Sequence, residues 1–195
     1  MLILASQSAT RKALLSGVGL RFESSPAPID ERAIENGLLG KHPRALAQQL
    51  AGEKALAVSR LDPEATVIGA DQVLAFTRLL HKPADLVDAR NQLMALRGLT
   101  HHLHAGVALA RNGEIVWSDV ETAALTFREF EEAELDRVLA REGEGVLASV
   151  GGYRLEGASI QLFERIEGDY FTILGLPLLK LLAALRRYAP SEGFT

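Results

Sequence analysis

An aspartate follows the clearest buried-strand pattern in this sequence. Residues 66–70 are apolar or small, which predicts a central β-strand, and Asp71 follows them directly in the turn Gly69-Ala70-Asp71-Gln72. An aspartate at the end of a strand is commonly a turn residue that caps the strand. A carboxylate held rigidly there can also bind a hard cation or orient a water molecule. Asp71 is therefore the first candidate for a catalytic carboxylate.

Glu31 is a second acidic candidate. It lies in Ile29-Asp30-Glu31, and the prolines at 26 and 28 predict extended backbone leading into this segment. An acidic residue in a proline-bounded loop is usually only solvated. Two carboxylates that converge on Mg²⁺ would nevertheless be consistent with phosphate chemistry. The sequence leaves open whether Glu31 and Asp71 converge.

Cationic and hydroxyl side chains occur where a phosphate group can be held. The polar turn 6–12 contains Ser6, Arg11 and Lys12 at the start of a predicted helix, where backbone N–H groups are free. The alternative is an N-cap followed by solvated basic residues. Cations at a helix N-terminus oppose the helix dipole, and this mild cost favours a functional interpretation.

Two further lysines are candidates for phosphate binding. Lys54 lies in the predicted helix 44–60, where the alternative is a surface lysine. Lys82 precedes Pro83 and so lies in extended loop backbone, from which a lysine can reach a phosphate, although most loop lysines have no such role.

Several other chemistries are disfavoured. Neither a P-loop nor a dinucleotide-binding glycine motif follows a strand, and there is no nucleophile-elbow motif. In the run His101-His102-Leu103-His104, residues 102 and 104 share one face of a strand and 101 faces away, so at most two can chelate. We interpret these histidines as ordinary strand residues.

The composition is that of a globular protein. Of 195 residues, 48% are apolar and 24% charged, enough for one α/β domain or two small lobes. Without cysteine there is no disulfide or thiolate site. The net charge of −4, with no basic block, argues against a nonspecific nucleic-acid binder. No apolar run approaches the roughly 20 residues of a membrane span, and the N-terminus does not resemble a signal peptide. We expect no membrane partner and a cytoplasmic location.

Strand and helix patterns alternate through the first half of the chain, and a hairpin follows at Asn112-Gly113. This order predicts a mixed sheet with helices on its faces, and ligands beyond the strand ends. We expect one domain over residues 1–189 and a tail over 190–195. The predicted strands are 2–5, 22–25, 66–70 with an extension at 73–76, 102–110, 114–126 and 158–163. The predicted helices follow residue 8 and span 44–60, 85–96, 130–141 and 177–188.

Short motifs in a fixed order resemble one protein family over residues 2–187. They are Leu4-Ala5-Ser6-Gln7-Ser8 with Arg11, Asp30-Glu31, Glu53-Lys54-Ala55, Gly69-Ala70-Asp71-Gln72, Lys82-Pro83, Gly152-Tyr153-Arg154-Leu155-Glu156-Gly157 and Gly175-Leu176-Pro177-Leu178. The chain resembles the Maf family of nucleotide pyrophosphatases, once described as septum-formation inhibitors. No single motif is decisive, but their order and spacing together are specific.

The resemblance implies an elongated α/β fold related to inosine-triphosphate pyrophosphatases, with two lobes around a central cleft, usually as a homodimer. It implies hydrolysis of a nucleoside triphosphate to the monophosphate and pyrophosphate with Mg²⁺ or Mn²⁺. The implied site roles follow the motifs: Ser6 and Arg11 hold phosphate, Lys54 and Lys82 neutralise charge, Glu31 and Asp71 serve the metal, and Asp71 is the general base.

The resemblance also bears on the substrate. Asp71-Gln72 and Glu156 resemble the branch that acts on 7-methyl-GTP, whereas the dTTP and UTP branch is expected to have Gly-Ala-Asp-Thr and Gln-Gly. A carboxylate accepts hydrogen bonds from guanine N–H groups and favours a cationic methylated base. Thr10 departs from this branch, which tends to place a tryptophan there for stacking of about 1–3 kcal/mol.

We therefore predict a pyrophosphatase for noncanonical or modified nucleotides, favouring a guanine-type base such as 7-methyl-GTP. A dTTP/UTP pyrophosphatase is the alternative, because Glu156 can also be a solvated loop residue. A nucleotide-binding regulator of cell division with little turnover is an alternative from another class, and it does not need Asp71 for chemistry.

Overall fold

The computed structural model describes residues 1–37, 42–77 and 79–193, which form a seven-stranded mixed sheet with helices. The strands are β1 (Leu2–Leu4), β2 (Glu23–Ser24), β3 (Thr66–Ala75), β4 (Leu79–Leu80), β5 (Thr100–Arg111), β6 (Glu114–Phe127) and β7 (Phe163–Glu167). The helices are α1 (Ala9–Gly17), α2 (Glu31–Gly37), α3 (Pro43–Leu61), α4 (Leu86–Leu96), α5 (Glu132–Glu142), α6 (Tyr170–Ile173), α7 (Leu178–Tyr188) and α8 (Pro190–Gly193). Short 3₁₀ helices span Gly143–Ala148, Val150–Gly152 and Ala158–Leu162.

The strand order is β2-β1-β3-β5-β6-β7, and β4 pairs with β3 beside this path. Strand β1 runs parallel to both β2 and β3, with Leu4 opposite Ile68. The pairs β3–β4 and β6–β7 are antiparallel. Between β5 and β6, Asn112 and Gly113 both have positive φ, as a tight two-residue hairpin turn requires. The expectation of a mixed sheet with flanking helices is confirmed.

The chain divides into two compact units. Unit 1 comprises Met1–Gln72, His104–Glu121 and Asp169–Thr195, and unit 2 comprises Val73–Leu103 and Thr122–Gly168. In unit 1 alternate strand residues enter opposite sides of the sheet, since successive side chains of a strand point to opposite faces. One cluster joins strand residues to α1 and α7: Leu4, Ile68, Val107, Leu15, Leu181 and Leu185. The other joins strand residues to α3: Ile3, Val67, Ala108, Ala51, Ala55 and Val58.

Unit 2 contains a buried aromatic cluster around Phe127, whose ring stacks on Phe163 at 4.2 Å between centroids. His101 lies in this cluster with Nε2 2.7 Å from the hydroxyl of Tyr153. Burial, with a smaller contribution from His102, lowers the pKa of His101 to about 3, so its ring is neutral at physiological pH. A neutral, buried histidine in an aromatic core agrees with our interpretation of His101 as an ordinary strand residue.

Most predicted elements are confirmed, with shifts of a few residues at their ends. The strand end and turn predicted at Asp71 were wrong, because β3 runs without a break from Thr66 to Ala75 and Asp71 lies within it. Helix α3 has Pro43 in its first turn, as predicted, and the long strands β5 and β6 flank the Asn112-Gly113 turn. No helix in the described part of the chain is both long and apolar enough to cross a membrane.

The prediction of a strand over 158–163 was wrong. Residues Ala158–Leu162 form a 3₁₀ helix, and the strand β7 begins only at Phe163. A short apolar run does not distinguish a strand from another buried segment. Here the backbone N–H and hydroxyl of Ser159 both donate to Glu142 Oε1, at 2.7 and 2.9 Å, contacts that the apolar run itself does not indicate.

Two other segments also differ from the sequence interpretation. Glu31 was predicted in extended backbone, but it is the first residue of α2, because the Asp30 carboxylate accepts a bond from the backbone N–H of Ala33. Within the predicted tail, residues Pro190–Gly193 form a helical turn whose Glu192 pairs with the N-terminal amine of Met1.

Helix α3 lies unusually close to the sheet. At Gly69 of β3 an added Cβ would overlap the Ala51 carbonyl oxygen and lie 2.7 Å from the Ala55 backbone nitrogen. At Gly106 of β5 it would overlap the Ala47 carbonyl oxygen. Because these neighbours are backbone atoms, side-chain rotation cannot relieve the overlap. Glycine at 69 and 106 is therefore what allows the helix to rest directly on the strands.

Overpacking a protein core typically costs about 1–3 kcal/mol, and Gly69→Ala should destabilise the protein by an amount at the upper end of that range or above it. Urea unfolding, followed by circular dichroism, measures this change. The matched control is Gly52→Ala in α3, where an added Cβ meets only Ile115 Cδ1 at 3.9 Å. That change should stabilise the helix by about 0.5–1 kcal/mol. Equal stability of Gly69→Ala and wild type would contradict the close packing.

Candidate functional site

Three sequence-predicted residues meet at one point in unit 1. Lys54 Nζ of α3 lies 2.6 Å from Asp71 Oδ1 of β3 and 2.9 Å from Glu31 Oε1 of α2. Lys54 and Asp71 are buried, with relative exposures of 8% and 7%, whereas Glu31 is exposed. The question whether Glu31 and Asp71 converge is therefore answered: one ammonium group binds both carboxylates.

The local sequence explains this meeting. The inward stripe of α3 contains Ala51, Ala55 and Val58, and Lys54 belongs to the same i, i+3, i+4, i+7 pattern. On β3, residues 69 and 71 share a face because side chains alternate along a strand. Because Gly69 has no side chain, the helix backbone can approach β3 there. Asp71, two residues further along the same face of the strand, then contacts Lys54 of the helix.

The environment of Asp71 makes its carboxyl a stronger base than a solvated aspartate. Burial is the largest influence and raises the pKa of Asp71, and the nearby charge of Glu31 adds to the rise. The positive charges of Lys54 and Arg11 act in the opposite direction but do not cancel the effect of burial. A carboxylate with a raised pKa is better matched to general-base work near neutral pH.

Ser6 and Arg11 form a second part of the site. The Ser6 hydroxyl oxygen accepts bonds from the Ser8 backbone N–H at 3.2 Å and from Arg11 Nη1 at 3.3 Å. Ser8 caps α1 by accepting from the backbone N–H of Arg11. The prediction that this turn precedes a helix is confirmed.

The side chain of Arg11 is bound mainly by protein carbonyls. Nη1 donates to the Ala70 carbonyl at 3.0 Å, and Nε donates to the Gly175 carbonyl at 2.8 Å. Burial lowers the pKa of Arg11, while Asp71 and Glu31 oppose this shift. The Gly175 and Ala70 contacts were not foreseen, because nothing in the sequence indicates which backbone carbonyls a side chain will meet.

Gln72 is also engaged within unit 1. Its Nε2 donates to the carbonyls of Thr172 at 3.0 Å and Ile173 at 2.9 Å, at the end of α6. Two carbonyl acceptors fix which amide atom is the nitrogen. Sequence reasoning missed α6, although Asp169 and Thr172 have the spacing of an N-cap and its partner.

Three predicted residues remain: Thr10, Lys82 and Glu156. Thr10 is partly exposed near the start of α1. Lys82 and Glu156 belong to unit 2, and both are exposed. Glu156 Oε1 lies 3.5 Å from Arg154 Nε, and Arg154 Nη1 lies 3.8 Å from the buried Glu142. The substrate contacts of these residues stay predictions.

The candidate metal ligands are a pair of carboxylates. Among the described residues, no three histidine, aspartate or glutamate side chains are grouped as metal ligands. Mg²⁺ is commonly bound by only one or two carboxylates together with phosphate oxygens of a substrate. Glu31 and Asp71, already held on one cationic group, fit that donor set.

The sequence matches known proteins over almost its full length. A sequence profile of the family described as Maf-like protein matches residues 1–188. A 7-methyl-GTP pyrophosphatase of Rhizobium meliloti (strain 1021) is 52% identical over 189 residues, 95% of each chain. A 7-methyl-GTP pyrophosphatase of Brucella abortus biovar 1 (strain 9-941) is 49% identical over 195 residues, 98% of each chain.

Two further matches are a relative with a more general name and a solved structure with low similarity. A nucleoside triphosphate pyrophosphatase of Bradyrhizobium diazoefficiens is 53% identical over 186 residues, 95% of this chain and 92% of the relative. Among solved structures, a HAM1 protein from Coxiella burnetii matches 63% of this chain and 69% of its own, with 14% identity and a TM-score of 0.35. That structural similarity is too low to support any conclusion.

The substitution Lys54→Met should raise the pKa of Asp71 further, because the positive charge of Lys54 lowers it in the wild type. A ¹³C NMR titration of the aspartate carboxyl carbons measures the shift directly. The matched control is Lys12→Met in α1, a lysine that does not act on Asp71. If Asp71 titrates at the same pH in both variants, Lys54 does not control its ionisation.

The same variant should also change how stability depends on pH. Because the folded-state pKa of Asp71 lies above its unfolded value, the stability that this group contributes is fully present below the unfolded pKa. It is lost as pH rises through the folded pKa. The loss should be larger in Lys54→Met than in wild type, as measured by urea unfolding over a pH series.

Proposed function

We propose that this chain, which belongs to the Maf-like family, is a nucleoside triphosphate pyrophosphatase. The observation that carries the proposal is the buried Asp71, held by Lys54 beside a second carboxylate, Glu31. The names of relatives about half identical over nearly the whole chain support the same reaction. The products would be a nucleoside monophosphate and pyrophosphate.

Glu31 and Asp71 would hold the divalent cation, Mg²⁺ or Mn²⁺, because carboxylate oxygens are the hard ligands that such ions prefer. When bound, the cation would offset negative charge on the phosphate oxygens. Lys54 would stay close to both carboxylates and limit their mutual repulsion.

Asp71 would act as the general base. Its carboxylate would take a proton from a water molecule, whose oxygen would then bond to the α-phosphorus. The bond from that phosphorus to the oxygen that bridges to the β-phosphate would break, and pyrophosphate would leave with the bonding electrons. The raised pKa of Asp71 favours this proton transfer, because a base is most effective when its pKa approaches the working pH.

Ser6 and Arg11 would bind phosphate oxygens at the start of α1, where the backbone N–H groups and the helix dipole also favour an anion. The Ser6 hydroxyl accepts two bonds in the structure and still has its own proton to donate. Lys82 would add positive charge, as the family resemblance implies. The homodimer stays a prediction from the family resemblance, and the cytoplasmic location stays a prediction from the sequence.

For the substrate, we propose a guanine-type or otherwise modified base, with 7-methyl-GTP as the leading candidate. The names of the Rhizobium and Brucella relatives support it, as does the carboxylate of Glu156. A carboxylate only accepts hydrogen bonds, which suits guanine N1–H and its exocyclic amine and attracts a cationic base. Thr10 provides no aromatic ring for stacking, so the base would be selected by hydrogen bonds and charge.

The substitution Asp71→Asn should lower kcat for pyrophosphate release by about 10²–10⁴-fold, the usual contribution of a general base. Nucleotide binding should largely survive, since Lys54 can still donate to the amide oxygen. A pyrophosphate-release screen over 7-methyl-GTP, GTP, dTTP and UTP, with Mg²⁺ and with Mn²⁺, provides the wild-type values.

The matched control is Asp85→Asn, the same chemical change at the exposed N-cap of α4, where asparagine caps as well as aspartate. Its turnover should equal that of the wild type. Full turnover in Asp71→Asn would remove Asp71 as the base. A wild-type protein that binds nucleotides but releases pyrophosphate from none of them would support the regulator instead.

The substitution Glu156→Gln should weaken any preference for 7-methyl-GTP over dTTP and UTP, because an amide both donates and accepts. The ratio of kcat/KM values for the competing substrates measures this preference. Glu164→Gln, at an exposed position of β7, is the control and should leave the ratio unchanged. If both variants rank the substrates as the wild type does, Glu156 does not read the base.

A further inference from the structure

The two residues that flank Asp71 are both fastened to one short segment, residues 172–175, which we name the anchor segment. Before Asp71, the Ala70 carbonyl accepts from Arg11 Nη1, and the same guanidinium donates through Nε to the Gly175 carbonyl. After Asp71, the Gln72 amide donates to the Thr172 and Ile173 carbonyls. The catalytic candidate is thus held from both sides through the anchor segment.

Glycine at 175 is needed for the first of these connections. Its φ of +91° lies in the region that favours glycine and turns its carbonyl toward Arg11. An added Cβ would lie 3.4 Å from Gln72 Oε1 and 3.5 Å from Arg11 Nη2. An added Cβ would thus make only ordinary van der Waals contacts with Arg11 and Gln72, so it is the positive φ, not a lack of space, that favours glycine at 175.

Thr172 fixes the anchor segment to the rest of unit 1. Its side chain is fully buried, and its hydroxyl donates to Glu121 Oε2 of β6 at 2.6 Å rather than to the more distant Asp169 Oδ1 at 3.4 Å. Glu121 is itself held by Lys180 of α7, whose Nζ lies 3.3 Å from Oε1. A hydrogen bond to a charged carboxylate is among the stronger ones in a protein.

Thr172 is also hydrogen-bonded to Gln72, the residue that follows Asp71. The Thr172 carbonyl accepts from Gln72 Nε2 and from the backbone N–H of Gly175, and its own N–H is bound by Asp169. A continuous chain of hydrogen bonds therefore runs from Glu121 through Thr172 to Gln72, the neighbour of Asp71. Thr172 is the middle residue of this series and is hydrogen-bonded to both Glu121 and Gln72.

We propose that Thr172 is a positioning residue for Asp71, acting through the anchor segment and Gln72. This inference rests on the proposed pyrophosphatase activity, because Asp71 must act as the base for its position to set the rate. Loss of the Thr172 hydroxyl would let the anchor segment shift and would move the carboxylate relative to the attacked phosphate. Small displacements of catalytic groups reduce rates steeply.

Thr172→Val keeps the shape of the side chain and removes the hydroxyl, whereas Thr172→Ser keeps the hydroxyl. We expect Thr172→Val to lower kcat for pyrophosphate release by about 10-fold or more with little change in KM. Thr172→Ser should restore most of the wild-type kcat. A merely structural role would reduce the amount of folded enzyme and would not separate kcat from KM.

Hydrogen–deuterium exchange provides a readout that needs no turnover. In Thr172→Val, peptides that cover residues 69–74 should exchange faster than in wild type, while peptides of β1 should be unchanged. Thr172→Ser should exchange like the wild type. If the wild-type enzyme releases no pyrophosphate, the proposed function fails, and the exchange pattern alone decides whether Thr172 holds the Asp71 strand.

Three results would overturn the inference. One is a wild-type kcat in Thr172→Val, whatever its exchange pattern. Another is a Thr172→Ser variant as slow as Thr172→Val, which would show that the hydroxyl bond is not responsible. The third is faster exchange in β1 as well, which would indicate general destabilisation rather than local release of Asp71.

Discussion

Helix α3 lies so close to strands β3 and β5 that only glycine fits at the two crossing points, Gly69 and Gly106. This approach has a chemical consequence as well as a packing one. It brings the α3 backbone against β3, so the lysine on the inward stripe of the helix reaches the strand residue two positions beyond Gly69. A larger residue at 69 would separate the helix from the strand and the ammonium from the carboxylate. The ion pair between Lys54 and Asp71 therefore depends on position 69 having no side chain.

The charges held together in this way balance one another. Arg11 and Lys54 supply two positive charges, and Glu31 and Asp71 supply two negative ones, with Asp71 and Lys54 both buried. Burial alone would strongly favour a neutral Asp71, and the two cations limit that effect. Removing one member of such a set leaves another charge buried and uncompensated, which costs far more than the pair contributes. The same contacts therefore determine both the folding stability of the protein and the pKa of Asp71.

Sequence patterns predicted the parts of this arrangement that depend on local order. The apolar run before Asp71, the proline in the first turn of α3 and the Asn112-Gly113 hairpin each have a local physical signal, and the structure confirms them. The direction in which Lys54 points depends on how the helix is rotated against the sheet, which no local pattern reveals. The strand predicted over 158–163 was wrong for a related reason, since Ser159 donates its hydrogen bonds to Glu142, a residue 17 positions away. Gly175 lies 164 positions from Arg11, and Thr172 and Ile173 lie 100 and 101 positions from Gln72, so spacing along the sequence could not reveal these contacts.

Arg11 shows why the activity of a variant does not by itself identify a substrate contact. Family resemblance predicts that Arg11 binds phosphate, yet its guanidinium already donates to Ser6, Ala70 and Gly175. Its positive charge also lowers the pKa of Asp71. Replacing Arg11 would release the carbonyl before the candidate base, free the anchor segment and change the ionisation of the base, even if no phosphate ever touched the guanidinium. A reduced rate would then report the position and ionisation of Asp71 as much as the loss of a phosphate ligand. Binding measured separately from turnover is what distinguishes these roles, since displacement of Asp71 affects the chemical step and loss of a phosphate contact affects affinity.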